Sequence, residues 1–244
     1  MLCEICVESL DDALTAQEAG AHRIELCSSL SEGGLTPSAG LIKQVRKHIH
    51  LPIHVMIRPR RGDFCYTPTE IDTMISDITY AKEQGANGIV FGLLTPSGTI
   101  DQTNTQHLIQ IAQPLAITFH RAFDLTRDPF EALETLINLG IHRILTSGGA
   151  PSVEQGTTTI QKLIEYAQDR IIIMPGGGIT EQNAKTIIQK TNAKEIHFSG
   201  RTQRESTMQH RNEKLVFSSP TQSEYTRHVT DLNRIRAILQ TTKE

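Results

Sequence analysis

Glutamate, cysteine, histidine and arginine recur in this chain two residues apart inside short apolar runs. Glu4 and Cys6 are spaced this way, as are Glu25 and Cys27, His54, Met56 and Arg58, Thr118 and His120, and His197 and Ser199. Residues two apart on an extended strand share a face, so each set points to one place. The residues between them (Ile5, Ile24, Leu26, Val55, Ile57, Ile117, Phe119, Ile196 and Phe198) are apolar. A strand buried on both faces normally reads as continuous Val, Ile and Leu. Some of the charged groups can satisfy one another as a structural network, since burying them unpaired is costly. Five or more converging titratable groups exceed what a core needs, so the polar set is expected to line a functional cavity.

The residues that follow these runs carry further chemistry. His120 is the candidate general acid or base, because imidazole titrates near neutral pH; Glu25 is its candidate counterpart. Asp124 either orients His120 or pairs with Arg121. Arg58 and Arg60 sit in the run Arg58-Pro59-Arg60-Arg61-Gly62-Asp63-Phe64, where guanidinium groups suit carboxylate or phosphate recognition. Arg61 reads as a solvated loop residue. Ser147-Gly148-Gly149 and Gly176-Gly177-Gly178 are glycine clusters, and Ser199-Gly200-Arg201 adds a hydroxyl and a cation. Backbone N–H groups of Gly148, Gly177 and Gly178 can approach an anion closely, helped by a helix expected to begin near Thr180. Alternatively these glycines only make tight turns. Together, Ser147, Gly148, Gly177, Gly178, Ser199 and Arg201 form a candidate phosphate or small-anion seat.

Cys3 and Cys6 form a C-x-x-C, but a spacing of three on a strand puts the two thiols on opposite faces. Cys6 and Cys27 share the polar parity at the ends of neighbouring strands, expected to be about 5 Å apart. Two such thiolates can hold Cu(I) in a two-coordinate site, or the cysteines can act as small buried hydrophobes. His54 and Met56 are possible third ligands.

These residues need strands to align them and helices to bury the other parity. Four stretches pass from a helical run through a small turn into a strand: Ala19-Gly20-Ala21-His22-Arg23-Ile24, Gln84-Gly85-Ala86-Asn87-Gly88-Ile89, Leu139-Gly140-Ile141-His142-Arg143-Ile144 and Thr191-Asn192-Ala193-Lys194-Glu195-Ile196. Glycine or asparagine there tolerates a left-handed helix cap. Runs 2–7, 53–58, 116–121 and 171–175 bring the strands to eight. Helices are expected near 9–19, 37–48, 67–84, 101–112, 128–139, 156–168 and 180–190. The first of these opens on Ser9-Leu10-Asp11-Asp12, the third on Thr67-Pro68-Thr69-Glu70 and the fifth on Asp128-Pro129-Phe130-Glu131. Residues 201–224 read as a long irregular loop and 225–240 as a closing helix. Eight strands alternating with helices over 1–244 predict a single-domain (β/α)8 TIM barrel, a fold of about 250 residues.

Composition narrows the partner. The net charge of −3 gives no electrostatic reason to expect nucleic acid. The chain has no apolar run long enough to span a membrane and no visible secretory signal, and its four cysteines lack a repeated spacing. A small ligand and a reducing, cytoplasmic setting are expected, with no organic cofactor.

The stretches Glu4-Ile5-Cys6-Val7, Arg23-Ile24-Glu25-Leu26-Cys27, Gly33-Gly34-Leu35-Thr36-Pro37-Ser38, Val55-Met56-Ile57-Arg58-Pro59-Arg60, Thr118-Phe119-His120-Arg121-Ala122-Phe123-Asp124 and Met174-Pro175-Gly176-Gly177-Gly178-Ile179 resemble the CutC family. The resemblance spans essentially the whole chain. It departs at Arg61, where the family often has glycine. It implies a cytoplasmic TIM barrel, usually a homo-oligomer (dimer or tetramer), acting in copper homeostasis, with Cu(I) held by Cys6 and Cys27. The polar lining also allows an enzyme of isomerase or lyase type that moves a proton on a small phosphorylated or carboxylated metabolite. In that case His120, Glu25 and Asp124 do the chemistry.

Overall fold

All eight expected strands form, four of them where an apolar run follows a glycine or asparagine turn. The computed structural model describes residues 1–212, 214–215 and 223–242. In chain order the barrel elements are β1 (Leu2–Val7), α1 (Leu10–Ala19), β2 (Arg23–Leu26), α2 (Ala39–His48), β3 (Ile53–Met56), α3 (Pro68–Glu83), β4 (Gly88–Phe91), α4 (Gln102–Ala112), β5 (Ala116–Phe119), α5 (Pro129–Asn138), β6 (Arg143–Thr146), α6 (Val153–Ala167), β7 (Ile172–Pro175), α7 (Ala184–Thr191) and β8 (Glu195–Phe198). The eight strands form one parallel sheet in the order β7-β6-β5-β4-β3-β2-β1-β8. A bridge between Gly176 and His197 brings β7 to β8 and closes the circle. This is the (β/α)8 barrel read from the sequence.

The helix starts follow from their caps. Ser9 accepts from the Asp12 N–H, Thr67 and Glu70 form a reciprocal capping box behind Pro68, and Asp128 accepts from Phe130 and Glu131 N–H groups. Gly20 ends α1 at φ 93°, a conformation that costs an L side chain strain. Among the described residues, no helix is long and apolar enough to cross a membrane.

Three boundaries differ from expectation. Helix α6 begins at Val153, earlier than expected, and α7 begins at Ala184. The stretch 180–183 is instead a turn in which the Thr180 N–H donates to Asn183 Oδ1 at 2.8 Å, so no helix starts beside Gly178. The tail also departs from a loop followed by a helix. Arg201–Glu205 (β9) pairs antiparallel with Thr226–Thr230 (β10), and the closing helix α8 spans only Leu232–Thr241. Val229, spaced as if helical, lies in β10. Residues 213 and 216–222 of the expected loop lie outside the described residues.

The outward strand face carries Ile5, Ile24, Leu26, Val55, Ile117 and Phe119, packed in one apolar cluster with Met74, Ile78, Leu108, Leu136 and Leu163 of the helices. Burying each such side chain fully stabilises the fold by about 1.5–3 kcal/mol. The inward face is charged. Glu4, Arg23, His54, Arg143 and Glu195 are all buried inside the barrel. Glu195 Oε2 accepts from Arg23 Nη2 at 2.7 Å and from Arg143 Nε at 2.6 Å, while Arg23 Nε donates to Glu4. Two guanidinium groups and two carboxylates thus neutralise one another at the bottom of the barrel, as burial requires. Arg23 and Arg143 occupy matching places in His22-Arg23-Ile24 and His142-Arg143-Ile144. In both, the histidine Nδ1 accepts a backbone N–H of the preceding strand, from Cys3 and from Ile117, each at 3.1 Å.

Candidate functional site

Above the charged floor, the strand ends open into a cavity of about 390 Å³ lined by Cys6, Glu25, Met56, Arg58, His120, His197 and Ser199, among others. That volume is in the range of small-molecule sites. The register explains who meets at its base. Cys6 of β1 stands opposite Glu25 of β2, and Glu4 stands opposite His197 of β8. Ligand atoms of Cys6, Glu25 and His197 lie within 4.8 Å of one another. The Cys27 thiol, two residues beyond Glu25, donates to Glu25 Oε2 at 3.4 Å.

His197 is held for this position. Its Nδ1 lies 2.8 Å from Glu4 Oε1, and Glu4 is fully buried and fixed by Arg23. That leaves Nε2 directed toward Glu25, 3.8 Å away. A histidine whose far nitrogen leans on a carboxylate is the arrangement that orients a metal-binding imidazole. Burial alone would lower the pKa of His197, but Glu25, Cys6 and Glu4 outweigh it and hold the imidazole well above its usual value. Burial would raise Glu4, yet Arg23, His197 and His54 drive it far below the carboxylate range. Burial raises Glu25, and its Oε1 has no hydrogen-bond partner. Burial and the neighbouring Glu25 keep the Cys27 thiol protonated well past neutrality.

The expected metal pair is therefore staggered: Cys6 faces Glu25, not Cys27. Cys6 lines the cavity, whereas Cys27 sits behind it in a small apolar cluster with Met56, Val90 and Leu30. Of the two possible third ligands, His54 lies deeper in the barrel, 3.7 Å from Glu4, with its pKa lowered by burial to about 4. Met56 stays beside Cys27. Cys3 points outward into the apolar layer, as its spacing required, and burial pushes its thiol up to about 11.

Two glycines on or just past β4 make room for buried imidazoles. A Cβ on Gly88 would lie 2.5 Å from the His54 ring, and one on Gly92 would lie 2.5 Å from His120 Nδ1. His120 Nδ1 accepts the Ala122 N–H at 3.1 Å, so in the neutral ring the hydrogen is on Nε2, which is buried without a partner. Burial and nearby Arg58 lower its pKa to about 3. His120 is thus a neutral hydrogen-bond donor at physiological pH rather than a base. Asp124 does not orient it. That carboxylate pairs with Arg121 at 2.7 Å and accepts from Thr146 Oγ1 at 2.5 Å and from the Ser147 and Gly149 N–H groups.

The arginines divide. Arg58 is buried at the cavity wall, where its Nη atoms donate to the carbonyls of Glu32, Gly34 and Gly62. Arg60 turns away to Glu70 at 2.5 Å and to Asp63, so it braces the loop instead of clamping a ligand. Arg61 is exposed beside Glu32. The glycine clusters divide as well. Gly177, Gly178, Ser199 and Arg201 line the cavity. Ser147 and Gly148 do not: Ser147 accepts from Arg121 at 2.7 Å, and Gly148 packs so tightly that a Cβ would meet Gly156 O at 2.4 Å. There the tight-turn alternative holds, because α6 crosses directly beneath the loop. Sequence reasoning left out Arg121 and Arg234, which also line the cavity, and left His197 outside the candidate ligands although its parity was right.

A family model described as the CutC family matches residues 1–202. The human copper homeostasis protein cutC homolog is 48% identical over 238 residues, covering 97% of this chain and 87% of that protein. The Dictyostelium discoideum homolog of the same name is 44% identical, covering 97% and 95%. The crystal structure of CutC from Streptococcus agalactiae overlays with a TM-score of 0.79 at 37% identity, covering 82% of this chain and 98% of that one. Phosphoribosyl anthranilate isomerase from Thermotoga maritima overlays with a TM-score of 0.57 at 15% identity, over 100% of this chain and 99% of that one, a likeness of fold alone. With the matched model, the identities across nearly the whole length and the shared barrel, this chain belongs to the CutC family of copper homeostasis proteins.

Proposed function

We propose that this chain binds Cu(I) at the floor of the barrel mouth, with Cys6 and Cys27 as thiolate ligands and His197 Nε2 as the third. The observation that carries this is the convergence of Cys6, Glu25 and His197 within 4.8 Å, with the Cys27 thiol on the same carboxylate. Soft thiolates and imidazole suit Cu(I), and Glu4 behind His197 is the outer partner such a ligand needs. The unpartnered Glu25 Oε1 is a buried acceptor ready for the proton or cation that loading rearranges. Loading displaces the Cys27 proton and the His197 Nε2 proton, which neighbouring Glu25 is placed to take, so copper uptake releases protons.

Competition against a chromophoric Cu(I) chelator tests this. Cys6→Ser and His197→Ala should each weaken Cu(I) binding by more than about 100-fold, beyond the usual cost of losing an outer partner. Unchanged affinity in both variants defeats the assignment.

A second reading, proton transfer on a small phosphorylated or carboxylated metabolite, is favoured by the arginines and glycine loops in the same cavity. In that reading Glu25 and His197, rather than His120, exchange the proton. Phosphate or sulfate failing to bind at high concentration would weigh against it.

A further inference from the structure

We infer that copper reaches Cys6 as an anionic thiolate complex and not as a bare cation, and that Arg58, Arg121, Arg201 and Arg234 are the walls that receive its carrier. This rests on the copper reading above. The cavity that leads to Cys6 is lined by these four guanidinium groups and by one carboxylate, Glu25, at its base. The counter-carboxylates of three of the arginines stand outside the lining. Asp124 is 2.7 Å from Arg121, Glu181 is 3.2 Å from Arg234 and Glu8 is 3.8 Å from Arg201. Arg58 leans on backbone carbonyls and has no carboxylate partner among the described residues. Across the mouth, Gly177 and Gly178 line the same cavity at φ 95° and 97°.

An incoming ligand therefore meets donors and positive charge until it reaches Cys6. Cu⁺ alone meets no carboxylate in the lining before Glu25 at the base. A small thiol bearing carboxylates, bound to Cu(I) through its sulfur, is drawn in, and its carboxylates match the guanidinium forks. Transfer is then ligand exchange without redox change. The Cys6–copper bond forms as one carrier sulfur–copper bond breaks, and the Cys6 proton passes to the departing thiolate. A second exchange at Cys27 frees the remaining carrier thiol with the Cys27 proton.

Stopped-flow loading of the full chain from two donors tests this: Cu(I)–glutathione, which is anionic, and Cu(I)–cysteamine, which is cationic. At low salt the glutathione complex should load at least about tenfold faster, the lower end of electrostatic steering, with the gap closing as salt rises. The Arg121→Gln, Arg234→Gln double variant should lose most of the gap, whereas Arg60→Gln, outside the cavity, should keep it. S-methylglutathione, which cannot carry copper through a thiolate, should still bind the metal-free protein by calorimetry, more weakly in the double variant. Equal, salt-independent loading from both donors, or no binding of S-methylglutathione, overturns the inference and leaves the copper site standing. Uptake from neither donor defeats the copper reading and this inference with it.

Discussion

Glu195→Gln is the substitution that most directly probes the charged interior. Glu195 is buried and accepts three hydrogen bonds: from Arg23 Nη2 at 2.7 Å, from Arg143 Nε at 2.6 Å and from Arg143 Nη2 at 3.1 Å. The amide keeps the shape but removes the negative charge between two buried guanidinium groups. One acceptor oxygen remains, but the NH2 that replaces the other turns donors toward a guanidinium group, and Thr118 Oγ1 at 3.2 Å is the further side-chain partner of Arg143. Breaking a buried pair from one side costs roughly 3–5 kcal/mol. For a chain of this size each kcal/mol moves Tm by about 2–4 °C, so the midpoint should fall by about 6–20 °C. The double variant Glu195→Leu, Arg143→Met removes the charge on both sides and leaves Arg23 and Glu4 as a matched pair. It should be less destabilised than Glu195→Gln alone, since apolar replacement of a buried pair is often neutral. Urea unfolding followed by circular dichroism measures both. A Glu195→Gln loss below about 1 kcal/mol, within the range of ordinary substitutions, would refute the network, as would a double variant weaker than the single one.

Further outcomes follow from the same geometry. His54 and His120 have folded pKa values of about 4 and about 3, lowered mainly by burial, against about 6.5 unfolded. The unfolded chain therefore binds more protons below pH 6.5, and stability is full above that value and lost as pH falls. Each histidine contributes roughly 1.4 kcal/mol per pH unit, or about 5 kcal/mol for the two between pH 6.5 and 4.5; a pH series of urea midpoints should show that slope, and His120→Gln should reduce it by about half. Gly148→Ala, with φ 75° and a Cβ placed 2.4 Å from Gly156 O, should cost about 2–5 kcal/mol from left-handed strain and overpacking together, read by thermal unfolding. Cys3→Ala should leave copper stoichiometry unchanged by metal analysis, because that thiol faces the outer layer.

The strand parity was legible because a barrel buries both faces, so a polar residue at every second position has only the interior to face. That reasoning found Glu4, Cys6, Glu25, His54, Arg58, His120 and His197. It missed Arg23, Arg143 and Glu195, which open their strands right after a turn. A signal was present: arginine or glutamate precedes isoleucine at the same place in three of the four turn-to-strand stretches, and strands that all start inside the barrel put that residue in its bottom layer. The roles of Arg60, Ser147, Gly148 and Asp124 were not legible, because they depend on loop packing. Glu70 captures Arg60 from the start of α3, and the crossing of α6 beneath Gly148 turns an apparent anion loop into a brace. The stagger of Cys6 and Cys27 was hidden for a related reason, since pairing register is set by turn length and not by the parity of either strand.

X-ray absorption at the copper edge of the Cu(I)-loaded chain tests the central claim most directly. Two sulfur scatterers and one nitrogen scatterer are expected, with one sulfur lost in Cys6→Ser and the nitrogen lost in His197→Ala. A spectrum that is the same in the parent and in both variants would put copper elsewhere and contradict the site.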